Sequence, residues 1–431
     1  MCNRISNNIF VLIRQHYSVK ALCSANAMEN LEELFNLLPK YLEIKDILLK
    51  NSEANYIISL ALEILKNFIQ NVNKTIEEWE ESSYLIQALI DKSWETIHTD
   101  HFGKVPLYVR QIYSIACYLK IFFLLLENSE LQQIEKCSKI LDEGLLIGYP
   151  QKLYERSDKF VDQLMQIFNE KLNSVEDLKL PIIENKPRLN VSCDIPQLER
   201  PSVEIFKLQY FEREQPALLL NTLTEWPALK LWPDLNYILK LAGNRIVPIE
   251  IGSNYANEEW SQQLMKLRDF LKRQFSSSTD NSSQKVEYLA QHELFEQIPL
   301  LKKDFNIPDY CSLRSSNREV DIKAWLGPKG TVSPLHYDPK HNLLCQVFGS
   351  KRIILASPDD SKYLYAHESE FLRNTSQIEV GDIDYQKFPL VAKVKFYYLT
   401  LQAGDCLYIP PKWWHYVKSQ SPSFSVSFWW K

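Results

Sequence analysis

The sequence predicts an α+β protein, an all-α N-terminal domain followed by a β barrel or jelly roll with flanking helices, and three observations carry that prediction. Of 21 prolines and 10 glycines, residues 1–180 hold only Pro39, Pro106, Pro150, Gly103, Gly144 and Gly148, so helix breakers are scarce there. In that same half Leu31, Leu34, Phe35, Leu38 and then Ile57, Leu60, Ala61, Ile64, Leu65, Phe68 recur at three- and four-residue steps between Glu, Lys and Asn. Beyond about residue 190 the period moves towards two, in short apolar segments bounded by Gly, Pro or Asp.

Taken in order, residues 1–27 carry Arg4, Arg14 and Lys20 with no acidic residue. They read as an unstructured start before the internal Met28, with a mitochondrial presequence as the alternative. Residues 28–180 read as several antiparallel helices packed as a bundle or an irregular array, since no fixed repeat period emerges. The longest apolar stretch, Ile115 to Leu126, falls short of the roughly 20 residues a membrane span requires and is interrupted by Lys120. It predicts a buried helix and no membrane anchor. Residues 181–202 contain Pro181, Pro187, Pro196 and Pro201 among polar residues and read as an extended linker. The second domain, 203–431, contains the candidate strands Ile246–Glu250, Leu343–Phe348, Arg352–Leu355, Cys406–Ile409 and Phe424–Phe428. Glu258 to Gln274 has helical spacing, and 276–283 is a polar, breaker-rich loop.

Composition removes several classes of function. At 431 residues with 45% hydrophobic content the chain can bury two or three domains' worth of core, which excludes a disordered tail. Eight cysteines lie far apart with no Cys-x-x-Cys pair, so neither a zinc ribbon nor a dense disulfide framework is indicated, and a reducing compartment is expected. The 49 Lys and Arg against 54 Asp and Glu give a net charge of −5, which argues against direct sequence-specific binding of nucleic acid by the chain as a whole.

The chemistry concentrates in Ser333-Pro-Leu-His-Tyr-Asp338. On an extended strand residues two apart face the same side, so His336 and Asp338 present an imidazole and a carboxylate to one point. A third ligand is available in His415, just after the candidate strand Cys406–Ile409. Two histidines and one carboxylate leave three octahedral positions open, as suits non-haem Fe(II), although a zinc hydrolase uses similar ligands. A lone His-x-Asp is usually a surface pair, and His341, His367 and His292 lack a partner pattern, so they read as surface or hydrogen-bonded residues.

The surrounding residues sharpen the reading. Ala324-Trp-Leu-Gly-Pro-Lys-Gly-Thr-Val-Ser-Pro-Leu-His-Tyr-Asp-Pro, then Asn342, Gly349-Ser-Lys351-Arg and Gly404-Asp-Cys-Leu-Tyr-Ile-Pro-Pro-Lys-Trp-Trp-His415, resemble the jumonji-C 2-oxoglutarate oxygenases. Val247-Pro-Ile-Glu-Ile-Gly-Ser, Glu258-Glu-Trp-Ser-Gln-Gln, Tyr288-Leu-Ala-Gln-His-Glu-Leu-Phe, Ile307-Pro-Asp-Tyr-Cys-Ser and the terminal Phe424-Ser-Val-Ser-Phe-Trp-Trp resemble the subgroup called lysine demethylase 8 or jumonji-domain protein five. The resemblance spans about residues 195–431, and more loosely the helical half. It implies a double-stranded β-helix (jelly-roll, cupin-like) barrel, Fe(II), and 2-oxoglutarate and O₂ as co-substrates.

Carried over by position, the resemblance implies His336, Asp338 and His415 as iron ligands and catalytic centre. Lys351 and Tyr288 match the partners of the distal 2-oxoglutarate carboxylate, Asn342 and Ser333 lie near the co-substrate, and Trp325 lines the substrate pocket. Glu250 matches an acidic residue that holds a cationic substrate side chain, a role that suits a guanidinium able to give two parallel hydrogen bonds. Trp325, Trp413, Trp414 and Phe428 are expected to form an aromatic shell around the centre. The implied substrates are proteins or histones presenting arginine or methyl-lysine, with arginyl hydroxylation the leading activity and lysine demethylation the alternative. A non-catalytic binding module and a zinc hydrolase are readings from other classes. The resemblance places the protein in the nucleus, with the cytoplasm as the alternative, and the helical half reads as a partner-binding or stabilising module.

Overall fold

The computed structural model describes Leu34 and residues 36–69, 76–99, 104–127, 131–149, 153–172, 180–184, 193–252, 260–276, 285–313, 320–369 and 372–431. The segment 1–27, read above as an unstructured start or presequence, and the loop 276–283 beyond Ser276 lie outside these residues. The chain divides into two compact units, one ending at Glu176 and one starting at Asp177.

In the first unit the breaker-poor sequence forms α1 (Tyr41–Leu48), α2 (Ser52–Ile69), α3 (Ile76–Thr99), α4 (Leu107–Glu127), α5 (Leu131–Leu146) and α6 (Ser157–Leu172). Each packs on its sequence neighbour along α1 to α5 except that α4 also meets α1 and α2, so α4 is the central helix. Its run from Ile112 to Leu125 is buried almost without interruption, as expected of a helix that is apolar on every side. Length and composition alone would let this helix cross a membrane, but 78% of its most apolar window is buried within the protein. Lys120, the interruption noted in the sequence, is itself buried and donates to Ser83 Oγ at 3.1 Å and Ser83 O at 3.3 Å.

The second unit is built on two sheets. Its strands are β1 (Gln197–Glu199), β2 (Ala217–Leu220), β3 (Ile246–Ile251), β4 (Ser261–Lys266), β5 (Glu287–His292), β6 (Asp321–Gly327), β7 (Val332–Tyr337), β8 (His341–Phe348), β9 (Ser350–Ala356), β10 (Phe396–Gln402), β11 (Cys406–Ile409), β12 (Trp414–Ser419) and β13 (Ser423–Trp430). The larger sheet has the order β1-β2-β11-β8-β13-β6-β5-β3-β4, and the smaller one β10-β9-β12-β7. Leu218, Leu344, Leu407 and Ile409 of the larger sheet meet Ile353, Leu355, Leu399 and Leu401 of the smaller one in a shared core. Burying each such side chain contributes about 1.5–3 kcal/mol. β8 and β13 are buried along their whole length, which explains why they read as apolar runs with weak alternation.

All five candidate strands lie within strands of the structure. The helical reading of Glu258–Gln274 requires correction: Ser261–Lys266 is strand β4, and helix begins only at Leu267 and runs to Phe275. β4 is the outer strand of its sheet, exposed over its first four residues and paired with β3 over Ile246–Ile251, so it lacks the alternation that would have revealed it. Within the stretch read as linker, the described residues include β1, which pairs in parallel with β2. None of the six described cysteines is in a disulfide, including Cys345 and Cys406, which face each other across β8 and β11.

Candidate metal and co-substrate site

β7 and β12 lie side by side in the smaller sheet, and their register sets His336 directly opposite His415. The pairing slips between His415/Val417 and His336/Ser333, so three steps on β7 answer two on β12. This bulge has a chemical consequence: Ser333 and His336, three residues apart, both line the pocket, which a regular strand would forbid. β7 is also an edge strand, where Pro334 is tolerated because no ladder hydrogen bond depends on its missing N–H.

The two imidazoles are oriented by their own backbone. His336 Nδ1 lies 2.7 Å from Pro334 O and His415 Nδ1 lies 3.0 Å from Trp413 O. A carbonyl only accepts, so each Nδ1 carries the proton and each Nε2 presents a lone pair, the tautomer a metal ligand needs. Asp338 Oδ2 stands 3.7 Å from His415 Nε2, beyond hydrogen-bond length, and is buried with no hydrogen-bond partner. Ligand atoms of His336, Asp338 and His415 all lie within 4.8 Å of one another. Burial chiefly, and the neighbouring His336 next, lower the His415 pKa to about 4 against the opposing pull of Asp338. Two imidazoles oriented by Nδ1 beside an unsatisfied buried carboxylate oxygen are a donor set that fits a divalent cation, and two histidines with one carboxylate suit Fe(II) with open positions.

At the other end of the cavity Lys351 opens β9. It follows Gly349, whose φ of +74° turns the chain from β8, and a Cβ there would fall 2.0 Å from Pro422 O. Lys351 alternates with Ile353 and Leu355 of the core, so its side chain points between the sheets and is 1% exposed. Nζ donates to Tyr288 OH at 3.2 Å, joining the two sheets. Burial lowers the Lys351 pKa to about 7 and holds the Tyr288 phenol far above its usual value, so Tyr288 stays protonated.

These ends belong to one cavity that is open to solvent. Of the nine residues singled out in the sequence, His336, Asp338, His415, Tyr288, Ser333, Asn342, Lys351 and Trp325 line it together. Glu250 does not. It stands on β3 opposite Tyr288, near enough for its charge to raise the Tyr288 pKa. Desolvation raises the Glu250 carboxyl against the opposing effect of the Trp260 side chain, and among the described residues no Lys or Arg pairs with it.

The aromatic shell expected from Trp325, Trp413, Trp414 and Phe428 is corrected: only Trp325 lines the cavity, its Nε1 donating to Ser427 Oγ at 2.9 Å. Trp413 Nε1 donates to Glu214 O, and Trp414 packs into a second core on the outer side of the smaller sheet. Along β13, Ser427 and Trp429 face the cavity, so Phe428 between them faces away, against Trp226 and Phe305. Sequence reasoning missed Trp429, although the two-residue period would have placed it once Ser427 was known to face inward. His341 and His292 are hydrogen-bonded, to Tyr408 and Gln297.

A barrel of two facing sheets with a two-histidine, one-carboxylate centre at one end and a buried cation at the other defines a cupin-type metal oxygenase. Residues 202–431 match the family model described as a cupin-like domain. The chain is 56% identical over 401 residues to the Jumonji C domain-containing protein 5 of Drosophila melanogaster, covering 93% of this chain and 98% of the relative. It is 38% identical over 358 residues to the lysine-specific demethylase 8 of Danio rerio, covering 80% and 86%, and 35% identical over 373 residues to the lysine-specific demethylase JMJ30 of Arabidopsis thaliana, covering 80% and 85%. The chain belongs to the jumonji-C group of the cupin-like family, oxygenases that use Fe(II) and 2-oxoglutarate.

Proposed function

We propose that this oxygenase hydroxylates arginine side chains of protein substrates. The observation that carries the reading is Glu250, a desolvated carboxylate with no cationic partner among the described residues, standing on β3 opposite Tyr288, which lines the cavity. A guanidinium satisfies both carboxylate oxygens with two parallel hydrogen bonds and relieves the cost of that burial. Bound Fe(II) with 2-oxoglutarate supplies the oxidising chemistry, O₂ being reduced as 2-oxoglutarate becomes succinate and CO₂.

The chain's own residues hold, orient and exclude. His336, Asp338 and His415 hold the metal, with the Nδ1 bonds to Pro334 O and Trp413 O keeping both rings in place. Lys351 and Tyr288 hold the distal carboxylate, a charge-assisted pairing that offsets the desolvation of both partners in an apolar barrel. Asn342 lines the wall, and its Oδ1 is buried without a partner. Trp325 and Trp429 flank the cavity and keep water from the reacting carbon.

The second reading is demethylation of methyl-lysine. It is favoured by the aromatic walls Trp325, Trp429 and Tyr288, which suit a methylated ammonium, and by relatives that bear the name lysine-specific demethylase. Mass analysis of an arginine peptide and a dimethyl-lysine peptide, with wild type beside Glu250→Ala, separates the two. The arginine peptide gains one oxygen atom with wild type, and the gain is lost in Glu250→Ala. Unchanged arginine hydroxylation by Glu250→Ala would sink the assignment, and methyl loss from lysine with arginine untouched would establish the second reading.

A further inference from the structure

The three metal ligands are aimed by different means. Each imidazole is oriented through its Nδ1 by a carbonyl two residues back. Asp338 has no such hold: its Oδ2 is buried with no hydrogen-bond partner, so the backbone that carries the carboxylate decides where it points. The two peptide units flanking Asp338 are both gripped. Lys412 N donates to Asp338 O at 2.7 Å, and Asn374 Nδ2 donates to Tyr337 O at 2.9 Å. Both directions are fixed, because a carbonyl only accepts.

Asn374 belongs to the segment between β9 and β10 that runs along the free edge of β7. Ser376 N donates to Leu335 O at 2.8 Å and Tyr337 N donates to Asn374 O at 3.0 Å, with His336 and Thr375 paired antiparallel between them. A longer strand would go on to offer Tyr337 O a backbone donor. Here the chain bends away instead, Thr375 N bonding back to Leu372 O at 2.7 Å, and the Asn374 side chain supplies the missing donor. One residue thus holds both the N–H and the C=O of Tyr337, which lies between His336 and Asp338 in the chain. The hold is itself anchored. Ser376 Oγ donates to Leu364 O at 2.6 Å and accepts from Ile378 N at 3.0 Å, and Leu364 and Ile378 pack with Leu335 in the outer core of the smaller sheet.

We propose that Asn374 is a positioning residue of the metal centre, which clasps Tyr337 and so sets the aim of Asp338 relative to His336. It touches neither metal nor substrate and acts through the peptide unit that joins Tyr337 to Asp338. Partners of this kind, one step behind the ligands, are worth 10–100-fold in metal affinity. The inference rests on His336 and Asp338 as metal ligands and holds whichever side chain is the substrate.

The test titrates Co(II) into metal-free full-length protein and follows the visible absorption of the bound ion, without turnover. Asn374→Ala should raise the Co(II) dissociation constant about tenfold and shift the absorption bands, which report the ligand geometry. Asn374→Asp, which keeps the shape and loses the donor, should do the same. Gln377→Ala is the control: it removes a hydrogen bond of the same segment, made to Ala366 O rather than to β7, and should leave constant and bands at wild-type values. The metal-free Asn374 variants should melt no earlier than Gln377→Ala by more than a few degrees. Wild-type binding and bands in both Asn374 variants, equal weakening in Gln377→Ala, or failure of both Asn374 variants to fold overturns the proposal. Asp338→Ala runs alongside: if it binds Co(II) as tightly as wild type, the ligand assignment itself fails, whereas a loss there with none in the Asn374 variants defeats the clasp alone.

Discussion

The two ends of the cavity hold opposite chemistries in one barrel. At the metal end β7 and β12 present ligand atoms, from two imidazoles whose Nδ1 atoms face backbone carbonyls and a carboxylate oxygen without a partner. At the far end β9 and β5 present hydrogen-bond donors, Lys351 Nζ and the Tyr288 hydroxyl. A ligand with a chelating group at one end and a carboxylate at the other is thereby held in a single orientation. The ends differ also in what sustains them: the two imidazoles are oriented by backbone carbonyls two residues away, and Lys351 by the glycine turn before it and the sheet around it.

Breaking the metal end should have the largest effect. Asp338→Ala leaves two imidazoles and no charge, and turnover should fall to below about a hundredth of wild type, since even outer-shell partners of a metal cost 10–100-fold. Succinate release and bound iron, measured together, check it. Breaking the other end is expected to be more selective. Lys351→Met should raise KM for 2-oxoglutarate by about tenfold or more, the loss of a charged hydrogen bond, while iron content stays at the wild-type level.

pH sharpens the contrast. With the empty-pocket Lys351 pKa lowered to about 7, co-substrate affinity should be full below pH 7 and decline as pH rises above it, because the bound carboxylate requires the ammonium form. Stability of the empty protein moves the opposite way. An unfolded lysine titrates at its ordinary value of 10.5, so between pH 7 and 10.5 the unfolded chain binds more protons and this group's contribution to stability rises with pH. Calorimetric binding and thermal melts across that range check both signs, and Lys351→Met should abolish both trends. A smaller effect separates the two faces of β13: Trp429→Leu should reduce kcat, whereas Phe428→Leu, facing away from the cavity, should cost about 1 kcal/mol of stability and leave kcat unchanged.

Much of the site was legible because it obeys simple periods. His336 and Asp338 share a face by the two-residue alternation of a strand, whereas Lys351, Tyr288 and Asn342 were placed by resemblance. Ser333 was placed by resemblance, and the reason it reaches the cavity, the bulge in β7, has no signature in composition. The aromatic shell was misread because Trp413, Trp414 and Phe428 are as apolar as the residues that do face inward, and only register decides which side each one takes. In the fold the helical half declared itself through its lack of breakers, while β4 hid because an exposed edge strand of Ser, Gln and Leu need not alternate.

The most direct test is succinate formation from 2-oxoglutarate by purified protein with Fe(II) and ascorbate, wild type beside His336→Ala, in the presence of an arginine peptide. The account predicts succinate and a peptide heavier by one oxygen atom with wild type, and neither with His336→Ala. Equal turnover in the two proteins, or none in wild type with metal bound, would contradict it.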